Sequence, residues 1–212
     1  MDGFTGLNIE KASHDIESFN QTCWEIQSKV RMPLKEFFIY LARHWASPVA
    51  KQFSDNICAK WEEVDSEYLT AFQHIVSGAT DAGRALARAN GLDLPNIINP
   101  GNVATADPIK SFISEDINGI VGMDVEGVRI ALDAFKEQEK EGIALFDELP
   151  ENIAFYDPNG ELIGTYSRNV KNFKTKFQEI INTVITEMEG YLETETDNIL
   201  LAKQNANDTL NA

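Results

Sequence analysis

Trp45-Ala46-Ser47-Pro48 separates two long stretches of this chain in which apolar residues recur at steps of three and four. Residues spaced in this way share one face of an α-helix, and such a face must be buried against a partner. Before the break these positions are Ile9, Ala12, Ile16, Phe19, Cys23, Ile26 and Val30. After it they are Val49, Phe53, Ile57, Trp61, Val64, Tyr68, Phe72 and Ile75. We therefore predict an antiparallel helical hairpin with its apex at residues 45–48.

The residues around this apex are suited to helix ends. Residues 7–77 contain no glycine, as two long helices require, because an interior glycine costs about 1 kcal/mol. Ser47 is a predicted N-cap, and Pro48 can begin the second helix because the first turn needs no N–H donor from it. We expect the second helix to run to Ala89, where Asn90-Gly91 is a typical C-cap.

Residues 91–123 contain frequent proline and glycine, and we predict a linker with one short helix over Ile109–Ile117. Asp124 is the predicted N-cap of a third helix that extends to about Leu149. Its apolar stripe consists of Val128, Leu132, Phe135, Ile143, Phe146 and Leu149, and is weak in the middle. Its predicted outer face consists of Glu137, Glu139, Lys140 and Glu141.

Two β-prone runs within residues 153–163 flank Asp157-Pro158-Asn159-Gly160, which favours a tight turn and predicts a small β-hairpin. A fourth helix is predicted from about Tyr166 to Asn205. Its stripe consists of Val170, Phe173, Phe177, Ile180, Val184, Met188 and Tyr191.

These elements together predict an all-α fold, in which antiparallel helical hairpins form an elongated four-helix bundle. The small β-hairpin lies between helices 3 and 4. We expect a helical hairpin over residues 1–90, a linker over 91–123, and a second helix–β-hairpin–helix unit over 124–212 that packs on the first.

The charge of the chain restricts its partners. The net charge of −16 makes nucleic acid an unfavourable partner, because an acidic surface repels phosphate. Residues 29–51 are the exception, with five basic side chains against Glu36. Charged helix faces in solvent explain this asymmetry, and head-to-tail docking of the chain is the alternative.

We expect no membrane span, because no apolar run reaches 18 residues. The start of the chain has no basic and apolar segments of a signal peptide, so any export is expected to use a leaderless route. Cys23 and Cys58 both occupy stripe positions, so we interpret them as reduced core residues.

Motifs for catalysis are missing from the sequence. It contains no glycine-rich phosphate loop, no cysteine pair at zinc spacing and no Gly-x-Ser-x-Gly element. We therefore predict no catalytic residues, no metal site and no cofactor. An enzyme with a hidden carboxylate or cysteine site is a remaining alternative, and a deep polar pocket would indicate it.

The hairpin of residues 7–90 resembles the WXG family of type VII secretion substrates, which are small leaderless helical hairpins with Trp-x-Gly at the turn. The corresponding turn motif here is Trp45, Ala46 and Ser47, with Ser47 in place of the glycine. Ala50 and Phe53 follow at the expected places of the second helix.

Tyr191 and Glu195 resemble the family's export signal, in which a tyrosine precedes an acidic residue by four positions. Residues four apart project from the same helix face. The resemblance implies that this pair is a secretion signal, and core packing of Tyr191 in the stripe is the alternative.

The resemblance implies a non-enzymatic secreted protein of a type VII-like system that acts as a substrate or a co-secreted partner. Its expected partners are the secretion ATPase or a co-secreted helical protein, and it would be a monomer or a homodimer. The alternative is a cytoplasmic helical adaptor or chaperone that is not exported.

Overall fold

The computed structural model describes residues 6–92, 101 and 108–210, and its architecture is dominated by four long helices. The helices are α1 (Ile9–His44), α2 (Pro48–Ala89), α3 (Val125–Ala144) and α4 (Val170–Leu210). A 3-10 helix, Leu145–Glu148, follows α3. The strands are β1 (Trp45–Ala46), β2 (Gly122–Met123), β3 (Ile153–Tyr156) and β4 (Leu162–Tyr166). The predicted all-α class with a β-hairpin between helices 3 and 4 is confirmed.

Contacts divide the described residues into two compact units. The first unit draws on the segments 1–28, 65–106 and 142–178, and the second on 29–64, 107–141 and 179–212. Helices α1, α2 and α4 contribute residues to both units. The predicted boundaries at residues 90 and 124 stay a prediction, because grouping by contact does not test whether residues 1–90 fold alone.

Tyr68 lies at the centre of the first unit. Its ring contacts the rings of Phe72, Phe146, Phe173 and Phe177. Its hydroxyl donates a 2.7 Å hydrogen bond to the carbonyl oxygen of Cys23, so the buried polar atom is satisfied. This cluster joins α1, α2, α4 and the 3-10 helix around one aromatic side chain.

The β-hairpin packs in the same unit. Strands β3 and β4 are antiparallel, with a register irregularity between Phe155 and Tyr156. The amide of Asn8 donates to the carbonyl oxygen of Tyr156 at 2.8 Å. Asp157 accepts the amide protons of Asn159 and Glu161 at 2.8 Å each, which forms the predicted tight turn.

Segments of all four helices pack in the second unit. The cross-helix pairs are Arg31–Glu62 between α1 and α2, Phe37–Phe135 between α1 and α3, Phe53–Tyr191 between α2 and α4, and Arg129–Asp197 between α3 and α4. Each helix therefore contacts two others, which is the arrangement of a four-helix bundle.

The predicted ends of α2 are confirmed. The hydroxyl of Ser47 accepts the amide proton of Ala50 at 2.9 Å, as an N-cap does. At the other end, Gly91 has φ +84°, and the amide of Leu92 donates to the carbonyl oxygen of Ala87 at 3.1 Å. This is the Schellman arrangement, in which a glycine reverses the chain after a helix.

The predicted stripes are largely buried, but some positions are shifted by one residue. Ala50 is buried where Val49 was predicted, and Leu192 is buried where Tyr191 was predicted. The buried face of α4 is Val170, Phe173, Phe177, Ile181, Val184, Met188 and Leu192. A strict alternation of threes and fours averages 3.5 residues per turn, whereas a helix has about 3.6, so the predicted face drifts.

The predicted helix over Ile109–Ile117 is wrong. This segment forms neither a helix nor a named strand, and Ile109 and Ile113 are buried in the second unit. The amide of Ile109 donates to a carboxylate oxygen of Glu62 at 2.6 Å, and Ser54 donates to Ser111 at 2.7 Å. Side chains of α2 thus bind this segment through one backbone amide and one side-chain hydroxyl.

Two predicted helix boundaries also differ. Helix α4 begins at Val170 rather than near Tyr166, because residues 162–166 pair with β3. Helix α3 ends at Ala144, and its last predicted turn is a 3-10 helix. Within the described residues, no helix is both long and apolar enough to cross a membrane.

Candidate interaction site

The apex between α1 and α2 is the core of the candidate site, and it lies wholly in the second unit. Trp45 is 2% exposed, and Trp45 and Ala46 pair with Met123 and Gly122 across β1 and β2. The apex backbone therefore donates and accepts hydrogen bonds in a short antiparallel pair. This pairing was missed from the sequence, because two-residue strands are too short to show a periodicity.

A clasp between His44 and Asp124 holds the apex to the start of α3. The imidazole Nδ1 of His44 lies 2.9 Å from a carboxylate oxygen of Asp124, and the amide of Asp124 donates to the carbonyl of His44 at 2.7 Å. Asp124 also accepts the amide proton of Gly127 at 3.1 Å, so its predicted role as N-cap is confirmed. The amide of Gly127 and then His44 lower the pKa of the Asp124 carboxyl.

Gly127 has no side chain, and this leaves room for the contact between His44 and Asp124. A Cβ atom at this position would lie 2.4 Å from Nδ1 of His44 and 2.6 Å from the Asp124 carboxylate. Both distances are shorter than van der Waals contact, so any larger residue would displace the imidazole.

Three aromatic rings connect the apex to α4. The ring centroids of Trp45 and Phe53 are 5.8 Å apart, and those of Phe53 and Tyr191 are 4.6 Å apart with planes only 5° from parallel. The two predicted motif elements, at Trp45 and at Tyr191, therefore both contact Phe53. Phe53 was predicted as a stripe residue and as part of the WXG resemblance, but its contact with Tyr191 was not predicted.

Tyr191 is partly exposed, at 36%, and Glu195 lies one helical turn further along α4. Burial, and then the Glu195 carboxylate, raise the pKa of the Tyr191 phenol. The hydroxyl therefore stays protonated at neutral pH and can donate a hydrogen bond. Leu192 takes the fully buried position of the stripe, and the Tyr191 ring stacks on the buried Phe53. The roles of Tyr191 as an export signal and as a packing residue both stay predictions.

A cleft of about 380 Å³ opens beside this tyrosine in the second unit. Its lining residues are Gln52, Phe53, Asn56, Ile57, Glu187 and Tyr191. An apolar floor with amide and carboxylate groups on its rim is typical of a surface that binds protein side chains. Lys60 forms an ion pair with Glu187 at this rim.

Both cysteines are free and buried, as predicted. Burial raises the pKa of the Cys58 thiol to about 11, and it raises that of Cys23 further still. A thiol with such a pKa carries almost no thiolate at neutral pH, so neither residue is an activated nucleophile. Within the described ranges, no group of three His, Cys, Asp or Glu side chains could hold a metal ion.

Glu139 is buried, although it was predicted to be exposed. It was predicted on the outer face of α3, but it is 1% exposed, and neither carboxylate oxygen has a hydrogen-bond partner within the described part of the chain. Burial raises its pKa to about 9. The weak middle of the α3 stripe was the available signal, because Glu139 lies four residues after Phe135.

In comparisons with known proteins, no family matches this chain, and no curated protein and no solved structure matches it at a significant level.

Proposed function

We propose that this chain is a non-enzymatic helical protein that a type VII-like secretion system exports, as a substrate or as a co-secreted partner. Its function would be recognition, in which helical surfaces of the second unit contact the secretion ATPase or another exported chain. The WXG-like turn motif of Trp45, Ala46 and Ser47, and the pair formed by Tyr191 and Glu195, are the sequence basis of this proposal.

The observation that carries the proposal is the shared contact of both motif elements with Phe53. Tyr191 stacks on this ring, and Trp45 contacts it from the apex. A partner that binds Tyr191 would therefore contact a surface whose position depends on the apex. The partial exposure of Tyr191 supports the same idea, because a recognition residue must be reachable by its partner.

Substitution of Tyr191 by alanine in the native host tests the proposal. We expect export to be lost while the helical content measured by circular dichroism is unchanged, because Tyr191 is not in the buried stripe. Tyr191→Phe keeps the stacked ring and removes the hydroxyl, so it separates the two contributions of this side chain.

Leu200 provides a control on the same helix. It is 42% exposed and lies on α4, nine residues after Tyr191. Leu200→Ala therefore removes an exposed apolar side chain of α4 outside the motif and is expected to leave export intact. Normal export of Tyr191→Ala would refute the assignment of the signal.

Fractionation of the host separates this proposal from its alternative. A cytoplasmic adaptor or chaperone would remain in the cell in both the unmodified and the Tyr191→Ala form. Appearance of the unmodified chain outside intact cells, without release of a cytoplasmic marker, is the result that the secretion proposal requires.

A further inference from the structure

The partly exposed ring of Tyr191 lies between two carboxylates on α4. Glu187 precedes it by four residues and Glu195 follows it by four, so the three side chains project from one side of the helix. Glu187 lines the 380 Å³ cleft together with Tyr191. Glu195 lies close enough to the phenol to raise its pKa, although burial has the larger effect. An open aromatic ring with a carboxylate on each side is a surface that attracts a cation.

The α2 wall of the cleft supplies neutral hydrogen-bond acceptors. Gln52 and Asn56 line this wall, and neither side-chain amide has a hydrogen-bond partner within the residues that the structure describes. Each amide oxygen can therefore accept a hydrogen bond from a bound group. Phe53 and Ile57 form the floor and are only 6% and 8% exposed. The cleft thus combines an apolar floor with acceptors on both of its walls.

The charges around the cleft leave it negative. Helix spacing places two further charged side chains of α2 beside the lining residues, namely Asp55 and Lys60. Lys60 forms an ion pair with Glu187, and Asp55 forms one with Lys51, so each of these pairs is neutral. Glu195 then leaves one net negative charge at the cleft. A cation is therefore attracted here and an anion is repelled.

We propose that this cleft binds an arginine side chain of the protein partner. A planar guanidinium can lie over the part of the Tyr191 ring that Phe53 does not cover. Its five N–H donors can meet the Glu187 carboxylate and the amide oxygens of the α2 wall. A lysine ammonium is compact, strongly hydrated and limited to three donors, so it suits a flat site with several acceptors less well. This inference rests on the proposed function, because it names the chemistry of the partner that binds Tyr191.

Lys60 competes with such an arginine for Glu187. Its side chain is 41% exposed and that of Glu187 is 52% exposed, and ion pairs in solvent contribute little stability. A guanidinium can therefore replace the ammonium group. Lys60→Gln removes the competitor and is expected to strengthen arginine binding severalfold. Lys140→Gln is the control, because it makes the same change of net charge on α3, outside the lining of the cleft.

Titration with blocked amino acids, followed by NMR of the tyrosine rings, tests the proposal. N-acetyl-arginine amide is expected to shift the ring signals of Tyr191 with a dissociation constant on the order of 10 mM. N-acetyl-lysine amide and N-acetyl-leucine amide represent the two other possible occupants, a cation without a flat group and an apolar side chain. Both are expected to bind several times more weakly at constant ionic strength. The signals of Tyr191 are identified by their loss in Tyr191→Phe.

Tyr40 is an internal control in the same titration. It is 37% exposed, follows Glu36 by four residues and stacks on another ring, as Tyr191 does. His44 takes the position of the second carboxylate, four residues after Tyr40. The signals of Tyr40 are therefore expected to shift much less than those of Tyr191.

Variants of the carboxylates test the charge argument. Glu187→Gln with Glu195→Gln keeps the size of both side chains and is expected to weaken arginine binding roughly 10-fold. Glu179→Gln with Glu193→Gln removes two charges from exposed positions of α4 that do not line the cleft. This second pair is expected to bind arginine like the unmodified chain. Circular dichroism verifies that each variant is folded.

Several results would overturn this inference. They are an absence of shifts with the arginine probe up to about 100 mM, equally strong binding of the lysine or leucine probe, an equal response at Tyr40, and binding that Glu187→Gln with Glu195→Gln leaves unchanged. The export assay fails or succeeds separately. Export that depends on Tyr191 without arginine binding overturns only the arginine site, whereas arginine binding with normal export of Tyr191→Ala overturns only the secretion signal.

Discussion

Replacement of Glu139 by glutamine is expected to stabilise the protein by an amount that grows with pH. The side chain is 1% exposed, and both carboxylate oxygens lack hydrogen-bond partners within the described residues. An ionised carboxylate in such a place is strongly unfavourable, so the native state holds the group neutral. Burial accordingly raises its pKa from 4.5 to about 9.

The size of this stabilisation follows from the number of protons that position 139 binds in the folded and in the unfolded chain. Below about pH 4.5 the carboxyl is protonated in both the folded and the unfolded chain, so it adds no pH dependence. Between about pH 4.5 and pH 9 only the unfolded chain releases this proton, and the free energy of unfolding falls by about 1.4 kcal/mol per pH unit. At pH 7 the accumulated loss is about 3 kcal/mol, which glutamine at position 139 would avoid.

Urea unfolding followed by circular dichroism at several pH values between 5 and 8 measures this effect. The stability difference between Glu139→Gln and the unmodified chain is expected to widen by more than about 2 kcal/mol over that range. The cost of burying an unpaired amide shifts all points equally and leaves the slope unchanged. Groups with a lowered pKa, such as Asp124 and Asp157, act only below about pH 4.

Glu137 is the matched control, because it lies on the same helix and its side chain is 72% exposed. Glu137→Gln should change stability by a small amount that does not depend on pH over this window. If the stability difference for Glu139→Gln were the same at pH 5 and pH 8, the idea of a neutral buried carboxyl would be refuted.

Three further predictions concern the apex and the core. Gly127→Ala is expected to destabilise the fold by about 1–3 kcal/mol, because its Cβ would displace the His44 ring, and His44→Ala in the same chain should reduce this loss in urea unfolding. Ser47→Ala removes the N-cap of α2 and should lower the free energy of unfolding by about 1 kcal/mol, whereas Ser47→Asp should retain most of it. The Cys58 thiol should react with a thiol reagent at neutral pH only as fast as the protein opens, so a reaction rate unaffected by denaturant would contradict its burial.

The long helices could be predicted from sequence because their signals are local and repeated. Ser47, Pro48 and Gly91 mark the ends of α2 with residue types whose backbone preferences are strong. The β-hairpin could be predicted as well, because the residues that form its turn are adjacent in sequence. Such features need no knowledge of what packs against them.

The segment 108–123 shows where local signals fail. Its residues Ile109 and Ser111 form hydrogen bonds with Glu62 and Ser54, which are about fifty residues away in sequence. The pairing of β2 with the apex likewise joins Met123 to Trp45. Partners at such separations leave no spacing pattern in the segment itself, so its apolar residues were taken for one face of a short helix.

Tyr191, the proposed recognition residue, likewise combines a local feature with a long-range one. The position of Tyr191 on α4 followed from the sequence, but its stacking on Phe53 depends on the contact between α2 and α4. A drift of one residue in the predicted stripe decided whether this tyrosine was assigned to the core or to the surface. Counting with 3.6 residues per turn, from the strongly buried start of α4, would have placed Leu192 inside and Tyr191 at its edge.

For Glu139, the spacing of the apolar residues indicates a buried position, whereas the charge of the side chain indicates an exposed one. From Phe135 the next inward position of α3 falls four residues on, at Glu139, and the buried Gly142 follows on the same face. Charged side chains are usually exposed to solvent, so Glu139 was predicted to lie on the outer face. A helix cannot rotate one residue out of its buried face without moving its neighbours Leu132 and Phe135. The burial of each stabilises the fold by about 1.5–3 kcal/mol. Protonation of one carboxyl at pH 7 costs a comparable amount, so the helix keeps its face and the glutamate loses its charge.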